Sequence, residues 1–209
     1  RRPSPDHARA IERYLIATVD HGFNASTFTA RVVASTGADV ASAICAALGS
    51  FSGPLHGGAP DRALDALDAI GDPANAAAWT QSALDRGERI MGFGHAVYRT
   101  ADPRAELLKS IALGLGGDLV DRAVQVEREV TAVLAQRYPG RELRANVEFY
   151  AGVVMELCGV PREMFTPTFA VSRVVGWSAH VLEQAQSRKI IRPRARYVGP
   201  DPIRSGLLD

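Results

Sequence analysis

The sequence has few cysteines, few aromatic residues and no long apolar run. Of its 209 residues, two are cysteines and 7% are aromatic. Cys45 and Cys158 both lie in apolar runs with helical spacing, which predicts buried free thiols rather than a disulfide or a metal pair. This usage is typical of a reducing compartment, so we expect a cytoplasmic protein. No run approaches the roughly eighteen apolar residues of a membrane span, and no signal peptide is recognisable.

An excess of one charge and the alternating pattern of β-strands are also absent. There are 24 Lys and Arg against 23 Asp and Glu, a formal net charge of +1, so we expect no nucleic-acid surface. β-Branched residues recur at helical spacing instead of every second position. The chain is rich in alanine and leucine, in segments separated by glycine and proline. We therefore predict an all-α protein with many helices and short connections.

The helical segments can be bounded from their caps and breaks. One opens at Ser4-Pro5-Asp6 and ends before Gly22. The remaining segments cover approximately 27–35, 38–50, 59–70, 74–85, 104–115, 118–138, 147–158 and 166–186. The tail, 189–209, is basic and interrupted by prolines, so we expect it to be extended along a surface.

The stretch Gly53-Pro54-Leu55-His56-Gly57-Gly58-Ala59 interrupts two helical patterns. Gly57 and Gly58 carry no side chain, which would let backbone and ligand approach His56 closely. A helix follows the loop, and its positive end disfavours a second proton on the imidazole. A neutral histidine there could donate a hydrogen bond to a carbonyl oxygen. The alternative is a structural turn in which His56 caps a helix.

Other polar residues stand out against their surroundings. Arg173 lies among apolar residues of a long helix, and burial of an unpaired charge is costly. Its partner should be either a structural carboxylate or a bound anion, which a guanidinium can hold through two hydrogen bonds. Four further candidates lie beside glycines or asparagines or at a helix start: His21, His95, Arg104 and Glu148. A fifth, Arg192, lies between Ile191 and Pro193.

Two common kinds of site are not supported. His21, His56 and His95 could form a three-histidine metal site, but no His-x-x-x-His or His-Glu-x-x-His pair anchors one, so we predict no metal. The pair Gly92-x-Gly94 is not followed by the Lys-Ser/Thr or the third glycine of a phosphate-binding loop.

The motifs, taken together and in order, resemble the citrate synthase family, and the resemblance runs from His21 to Arg194. Besides the His56 loop, the motifs are Gly92-Phe93-Gly94-His95-Ala96-Val97-Tyr98-Arg99, Asp102-Pro103-Arg104, Asn146-Val147-Glu148-Phe149-Tyr150 and Ser172-Arg173-Val174-Val175-Gly176-Trp177.

The resemblance implies three catalytic residues. His56 would hydrogen-bond the carbonyl of the acetyl thioester and stabilise its enol. His95 would polarise the ketone of oxaloacetate and deliver a proton to it, which makes it also an oxaloacetate ligand. Glu148 would remove a proton from the acetyl methyl group.

The resemblance also implies binding residues and a quaternary structure. His21, Arg104 and Arg173 match oxaloacetate ligands, and Arg99 lies where a basic residue contacts coenzyme A. Arg192 matches an oxaloacetate-binding arginine that reaches into the partner subunit's site, which implies a homodimer. The fold would be multi-helical, with segments 1–63 and 170–209 as part of a large domain and 64–169 as a small mobile domain.

The implied activity is condensation of acetyl-CoA with oxaloacetate, followed by thioester hydrolysis to citrate and CoA. Both molecules are substrates, and no cofactor is implied. One alternative is a 2-methylcitrate synthase that uses propionyl-CoA, because an extra methylene in a pocket is worth only about 1–3 kcal/mol. Another is a citrate-synthase-like subunit that binds ligands with weak catalysis.

Two departures from the family pattern bear on these expectations. Glu148 stands where the family commonly has aspartate, and the extra methylene can displace the carboxylate by roughly 1 Å. We expect Glu148 still to act as the base. Family members also have further helices before the segment that begins here, so we expect this chain to be the C-terminal portion of a longer protein.

Overall fold

The computed structural model describes residues 4–57, 59–94, 102–187 and 189–199. Within these ranges the chain forms α-helices, two 3₁₀ turns and a single isolated bridge between Phe93 and Ala145, which confirms the all-α prediction. The helices are α1 (Pro5–Thr18), α2 (Ala25–Ser35), α3 (Val40–Phe51), α4 (Ala59–Ile70), α5 (Ala76–Asp85), α6 (Pro103–Leu115), α7 (Asp118–Arg137), α8 (Val147–Leu157) and α9 (Phe165–Gln186). The 3₁₀ turns are Pro73–Asn75 and Arg162–Met164.

Side-chain caps set the starts of several helices. The Asn24 side chain accepts a hydrogen bond from the backbone N–H of Thr27 at 3.1 Å, so α2 begins at Ala25, two residues earlier than predicted. Asp39 caps α3 in the same way, through the N–H of Ser42 at 2.7 Å. The predicted helix over 74–85 is shorter, because its first residues form the turn Pro73–Asn75.

Helix α8 lies at the centre of the molecule. All its residues from Val147 to Met155 are buried except Glu148, which is partly buried. It packs against α4 and α6, whereas α2, α3 and α9 pack together, and α1 contacts α6, α8 and α9. The division into 1–63, 64–169 and 170–209 remains a prediction.

The cysteine prediction was only partly correct. Both thiols are free. Cys45, however, is exposed, because the buried face of α3 is formed by Ala43, Ala47 and Phe51. Cys158, which follows α8, is half-buried. In the ranges given above, every helix is too short or too polar to cross a membrane.

The part of the tail that the structure describes, 189–199, is not helical and is largely exposed. It is held against α2 by a hydrogen bond of 3.0 Å from the N–H of Ile191 to Oγ of Ser35. Arg192 follows this contact, and its side chain is exposed.

Candidate active site

A cleft of about 650 Å³ brings together residues that lie far apart in the sequence. Its walls come from the loops after α1, α3 and α5, from the starts of α2, α6 and α8, and from α9. Five of the predicted site residues line it: His21, His56, Arg104, Glu148 and Arg173. Arg192 is not among its lining residues. His95 and Arg99 lie outside the described residues.

His56 is held as a neutral imidazole. Its Nε2 lies 2.8 Å from Oγ of Ser26 and accepts a hydrogen bond of 3.4 Å from the backbone N–H of Ser26. An Nε2 that accepts from a backbone N–H places the ring proton of the neutral form on Nδ1. Burial and the positive charge of Arg173 lower the pKa of His56 to about 4. His56 is therefore a neutral hydrogen-bond donor at physiological pH.

Ser26 is a site residue that the sequence did not single out. Its Oγ accepts a hydrogen bond of 3.0 Å from Nε1 of Trp177, so α2 and α9 together position the contact with His56. The Trp177 ring in turn packs edge-on against Phe51 at 5.3 Å. Ser26 lies 30 positions before His56, and nothing in the sequence spacing connects the two residues.

Gly57 has a different role from the one expected. A Cβ at this position would lie 2.4 Å from the Phe51 ring and 2.5 Å from the Phe51 carbonyl oxygen. The absent side chain therefore makes room for Phe51 rather than for a ligand. The Phe51 ring then packs edge-on against His56, with 5.0 Å between ring centroids.

Glu148 lies in the first turn of α8, where Asn146 caps the helix by accepting a hydrogen bond of 2.9 Å from the Glu148 N–H. Burial raises the pKa of Glu148 to about 7. The positive charge of Arg104 and the Asn146 side chain oppose this rise, and the negative charge of Asp102 adds to it. A carboxylate with a pKa near the working pH is suited to general base catalysis.

Arg173 has no carboxylate partner among the described residues. It is 2% exposed, its Nε donates a 2.8 Å hydrogen bond to the carbonyl oxygen of Thr18, and its guanidinium lies 4.9 Å from the centroid of Phe169. Burial and the nearby charge of Arg104 lower the pKa of Arg173 to about 10. Of the two alternatives raised by the sequence, the bound anion is favoured, because two positive charges share one cleft.

His21 follows α1 in a loop that passes directly against α9. A Cβ at Gly176 would lie 2.3 Å from the carbonyl oxygen of Val19, so only glycine permits this approach. The Asp20 side chain accepts a hydrogen bond from the Gly22 N–H at 3.0 Å and contacts Nε2 of His180 at 3.2 Å. The loop is thus fixed on both sides of His21.

A second cleft of about 550 Å³ adjoins the first. The two clefts share the residues Arg89, Ile90, Phe93 and Gly94. This segment is fixed to the chain before α8: the Gly94 N–H donates to the Arg144 carbonyl oxygen at 2.8 Å, and Asn146 Nδ2 donates to the Gly94 carbonyl oxygen at 2.9 Å. Tyr138 and Arg141 also line the second cleft.

No group of three or more metal-binding side chains occurs in the part of the chain that the structure describes. His21 and His56 both line the first cleft, and the third histidine of the metal alternative, His95, lies outside the described residues.

The cleft therefore combines a neutral imidazole, a carboxylate with a raised pKa, one buried guanidinium group and one that is partly buried. This combination suits proton abstraction next to a carbonyl, in the presence of an anionic substrate. The described residues form an all-α protein. Its cleft has the groups for acid–base catalysis on an anionic substrate.

Comparison with known proteins identifies the family. The model of the family "Citrate synthase, C-terminal domain" matches residues 1–194. This chain belongs to the citrate synthase family.

Individual relatives agree with this assignment. Citrate synthase 2 of Bacillus subtilis is 43% identical over 204 residues, which are 95% of this chain and 53% of the relative. The 2-methylcitrate synthase of Shewanella oneidensis is 42% identical over 200 residues, 96% of this chain and 53% of the relative. The chain thus spans about half the length of the curated relatives it matches.

A solved structure gives the same result. Citrate synthase of Thermoplasma acidophilum, in a ternary complex with carboxymethyl coenzyme A and oxaloacetate, superposes with a TM-score of 0.88. It is 37% identical to this chain, and the match covers 96% of this chain and 54% of that one. The predicted fold and family are confirmed.

Proposed function

We propose that this chain carries most of the active site of a citrate synthase, which condenses acetyl-CoA with oxaloacetate and hydrolyses the thioester to citrate and CoA. The observation that carries the proposal is the convergence of His56, Glu148, Arg104 and Arg173 on one cleft. The Thermoplasma relative binds a coenzyme A derivative and oxaloacetate together, which supports this pair of substrates.

In the proposed reaction, Glu148 takes a proton from the acetyl methyl group while Nδ1–H of His56 donates to the thioester oxygen. A thioester methyl is a very weak acid, so the developing oxyanion needs a donor that is already in place. Arg104 and Arg173 neutralise and orient the carboxylates of oxaloacetate, together with His21. We assign His95 to the oxaloacetate carbonyl, as the family resemblance implies.

The second cleft is the proposed place for the nucleotide end of coenzyme A. It adjoins the first cleft at Arg89, Ile90, Phe93 and Gly94, which places both clefts within reach of one extended molecule. Arg89 and Arg141 supply positive charge for phosphates, and Tyr138 supplies a ring for the base. Arg99 is a further candidate for a coenzyme A contact.

We propose a homodimer in which Arg192 completes the partner's oxaloacetate site. The exposed position of Arg192 outside the cleft of its own chain supports an action in trans. No cofactor is proposed.

The test is release of free thiol from acetyl-CoA or propionyl-CoA, with and without oxaloacetate. Oxaloacetate-dependent release that is lost in Glu148→Gln supports a condensing enzyme. The ratio of the two rates decides between citrate and 2-methylcitrate synthesis, which the nearly equal identities to the Bacillus and Shewanella proteins leave as an alternative. Binding of oxaloacetate without thiol release would favour the binding subunit. Absence of both oxaloacetate binding and thiol release would refute the proposal.

A further inference from the structure

Asp102 connects two helices that each carry a residue of the proposed site, Arg104 on α6 and Glu148 on α8. It is the residue before α6 and lies 45 positions before Val147, the first residue of α8. Its side chain is 1% exposed, and that of Arg104 is 11% exposed. The ion pair between them is therefore largely screened from water.

Both oxygens of the Asp102 carboxylate are fully used. Oδ1 accepts hydrogen bonds from the backbone N–H of Arg104 at 2.9 Å and from its Nε at 3.0 Å. Oδ2 accepts from Nη2 of Arg104 at 2.8 Å and from the N–H of Val147 at 3.2 Å. Although burial opposes ionisation, these hydrogen bonds and the charge of Arg104 lower the pKa of Asp102, so the carboxylate is ionised.

Capping a helix requires fewer hydrogen bonds than the Asp102 carboxylate makes. Asp39, at the start of α3, uses one oxygen for the N–H of Ser42. Asp102 likewise caps its helix, by accepting a hydrogen bond from the backbone N–H of Arg104. It also accepts two parallel hydrogen bonds from Nε and Nη2 of the Arg104 guanidinium, which fix the plane of that group. Its second oxygen also fixes the first turn of α8, where Glu148 is the next residue.

We propose that Asp102 is a positioning residue for the condensation, which sets the guanidinium of Arg104 for the oxaloacetate carboxylate and the start of α8 for Glu148. This inference rests on the proposed function. The inference goes beyond the proposed function, because it assigns to the buried carboxylate of Asp102 the placement of Arg104 relative to Glu148.

Replacement by asparagine separates this role from helix capping. An asparagine can still cap α6 through its oxygen, but its NH₂ group would face Nη2 of Arg104 and the N–H of Val147, which are also donors. The matched control is Asp39→Asn, which keeps the cap of α3. Asp102→Ser is the second variant, because serine also caps helices but has no second oxygen for Val147.

The experiment is calorimetric titration of oxaloacetate into the wild type, Asp102→Asn, Arg104→Gln and the double variant. We expect Asp102→Asn to weaken binding by roughly tenfold or more, as for loss of one partner of a buried charge pair. If Asp102 acts through Arg104, the double variant should bind within about twofold of Arg104→Gln, because the two losses are not independent. Asp39→Asn should bind like the wild type.

Amide hydrogen exchange over residues 145–150 provides a readout that does not depend on activity. Exchange of the Val147 amide should accelerate in Asp102→Asn and Asp102→Ser and not in Asp39→Asn. Unchanged binding in both Asp102 variants, losses that multiply in the double variant, or an unchanged Val147 amide would each overturn the inference. If the wild type binds no oxaloacetate, the proposed function fails first and this inference fails with it.

Discussion

Glu148→Gln should abolish catalysis and at the same time stabilise the protein above neutral pH. Gln has nearly the same shape as Glu but cannot ionise. The Glu148 carboxyl has an ordinary pKa of 4.5, and burial in the cleft raises it to about 7. Because the folded state binds this proton more tightly than the unfolded state, wild-type stability falls as the pH rises from 4.5 through 7.

The size of this effect follows from the two pKa values. A difference between 4.5 and about 7 corresponds to about 3 kcal/mol of unfolding free energy once the group is fully ionised. For a chain of about this length, that is a rise in Tm of roughly 6–12 °C for the variant at pH 8. The advantage should shrink as the pH is lowered towards 4.5.

The same variant, Glu148→Gln, should lose catalytic activity although it gains stability. Loss of a general base typically costs about 10² to 10⁴ in rate, so thiol release should fall to background in Glu148→Gln. In the wild type, only the ionised carboxylate accepts a proton, so kcat/KM should fall by about tenfold per pH unit below pH 7.

Two measurements check this reasoning: oxaloacetate-dependent thiol release from pH 5.5 to 8.5, and thermal unfolding at pH 5 and 8. The matched control is Glu163→Gln, because Glu163 is an exposed residue of the turn Arg162–Met164. The control should change neither quantity. Retained activity in Glu148→Gln would refute the assignment of the base, and an unchanged Tm at pH 8 would refute the account of its pKa.

Two further predictions concern the support of His56. Gly57→Ala should destabilise the fold by about 1–3 kcal/mol, because its Cβ would overlap the buried Phe51 ring. Denaturant unfolding measures this change, and a variant as stable as the wild type would contradict the packing role of Gly57. Ser26→Ala should lower kcat by about tenfold, because His56 loses the Oγ contact and keeps only the backbone N–H. It should also destabilise the fold by about 1–3 kcal/mol, because the buried Nε1–H of Trp177 loses its acceptor. An unchanged kcat would show that Trp177 and Ser26 do not position His56 for catalysis.

Helices and their limits could be predicted closely because their signals are local. Asn24, Asp39 and Asp102 lie next to the helices they cap, and a cap acts within one turn. One error concerned the orientation of a correctly predicted helix. At position 45, apolar spacing alone could not show which side of α3 faces the core, and Cys45 is on the outer side.

The candidate site was only partly predictable. The neutral state of His56 was expected from the helix that follows it, whereas the structure shows burial and Arg173 as the causes of the lowered pKa. Arg173 could be recognised as a buried charge, and Phe169 lies one helical turn before it in the sequence. Its contact with the Thr18 carbonyl, 155 positions away, could not be assigned. The roles of His95, Arg99 and Arg192 stay predictions.

The sequence by itself determined the helical class, the order of the helices and the family, because periodicity, caps and motifs are read along the chain. Only the tertiary structure decided that Ser26 supports His56 and that Asp102 joins Arg104 to the start of α8. It also decided that Glu148 has a pKa near 7, since burial and the charges of Arg104 and Asp102 depend on how separate helices pack. Hydrogen bonds and desolvation act over a few ångströms in space, and sequence separation does not measure that distance.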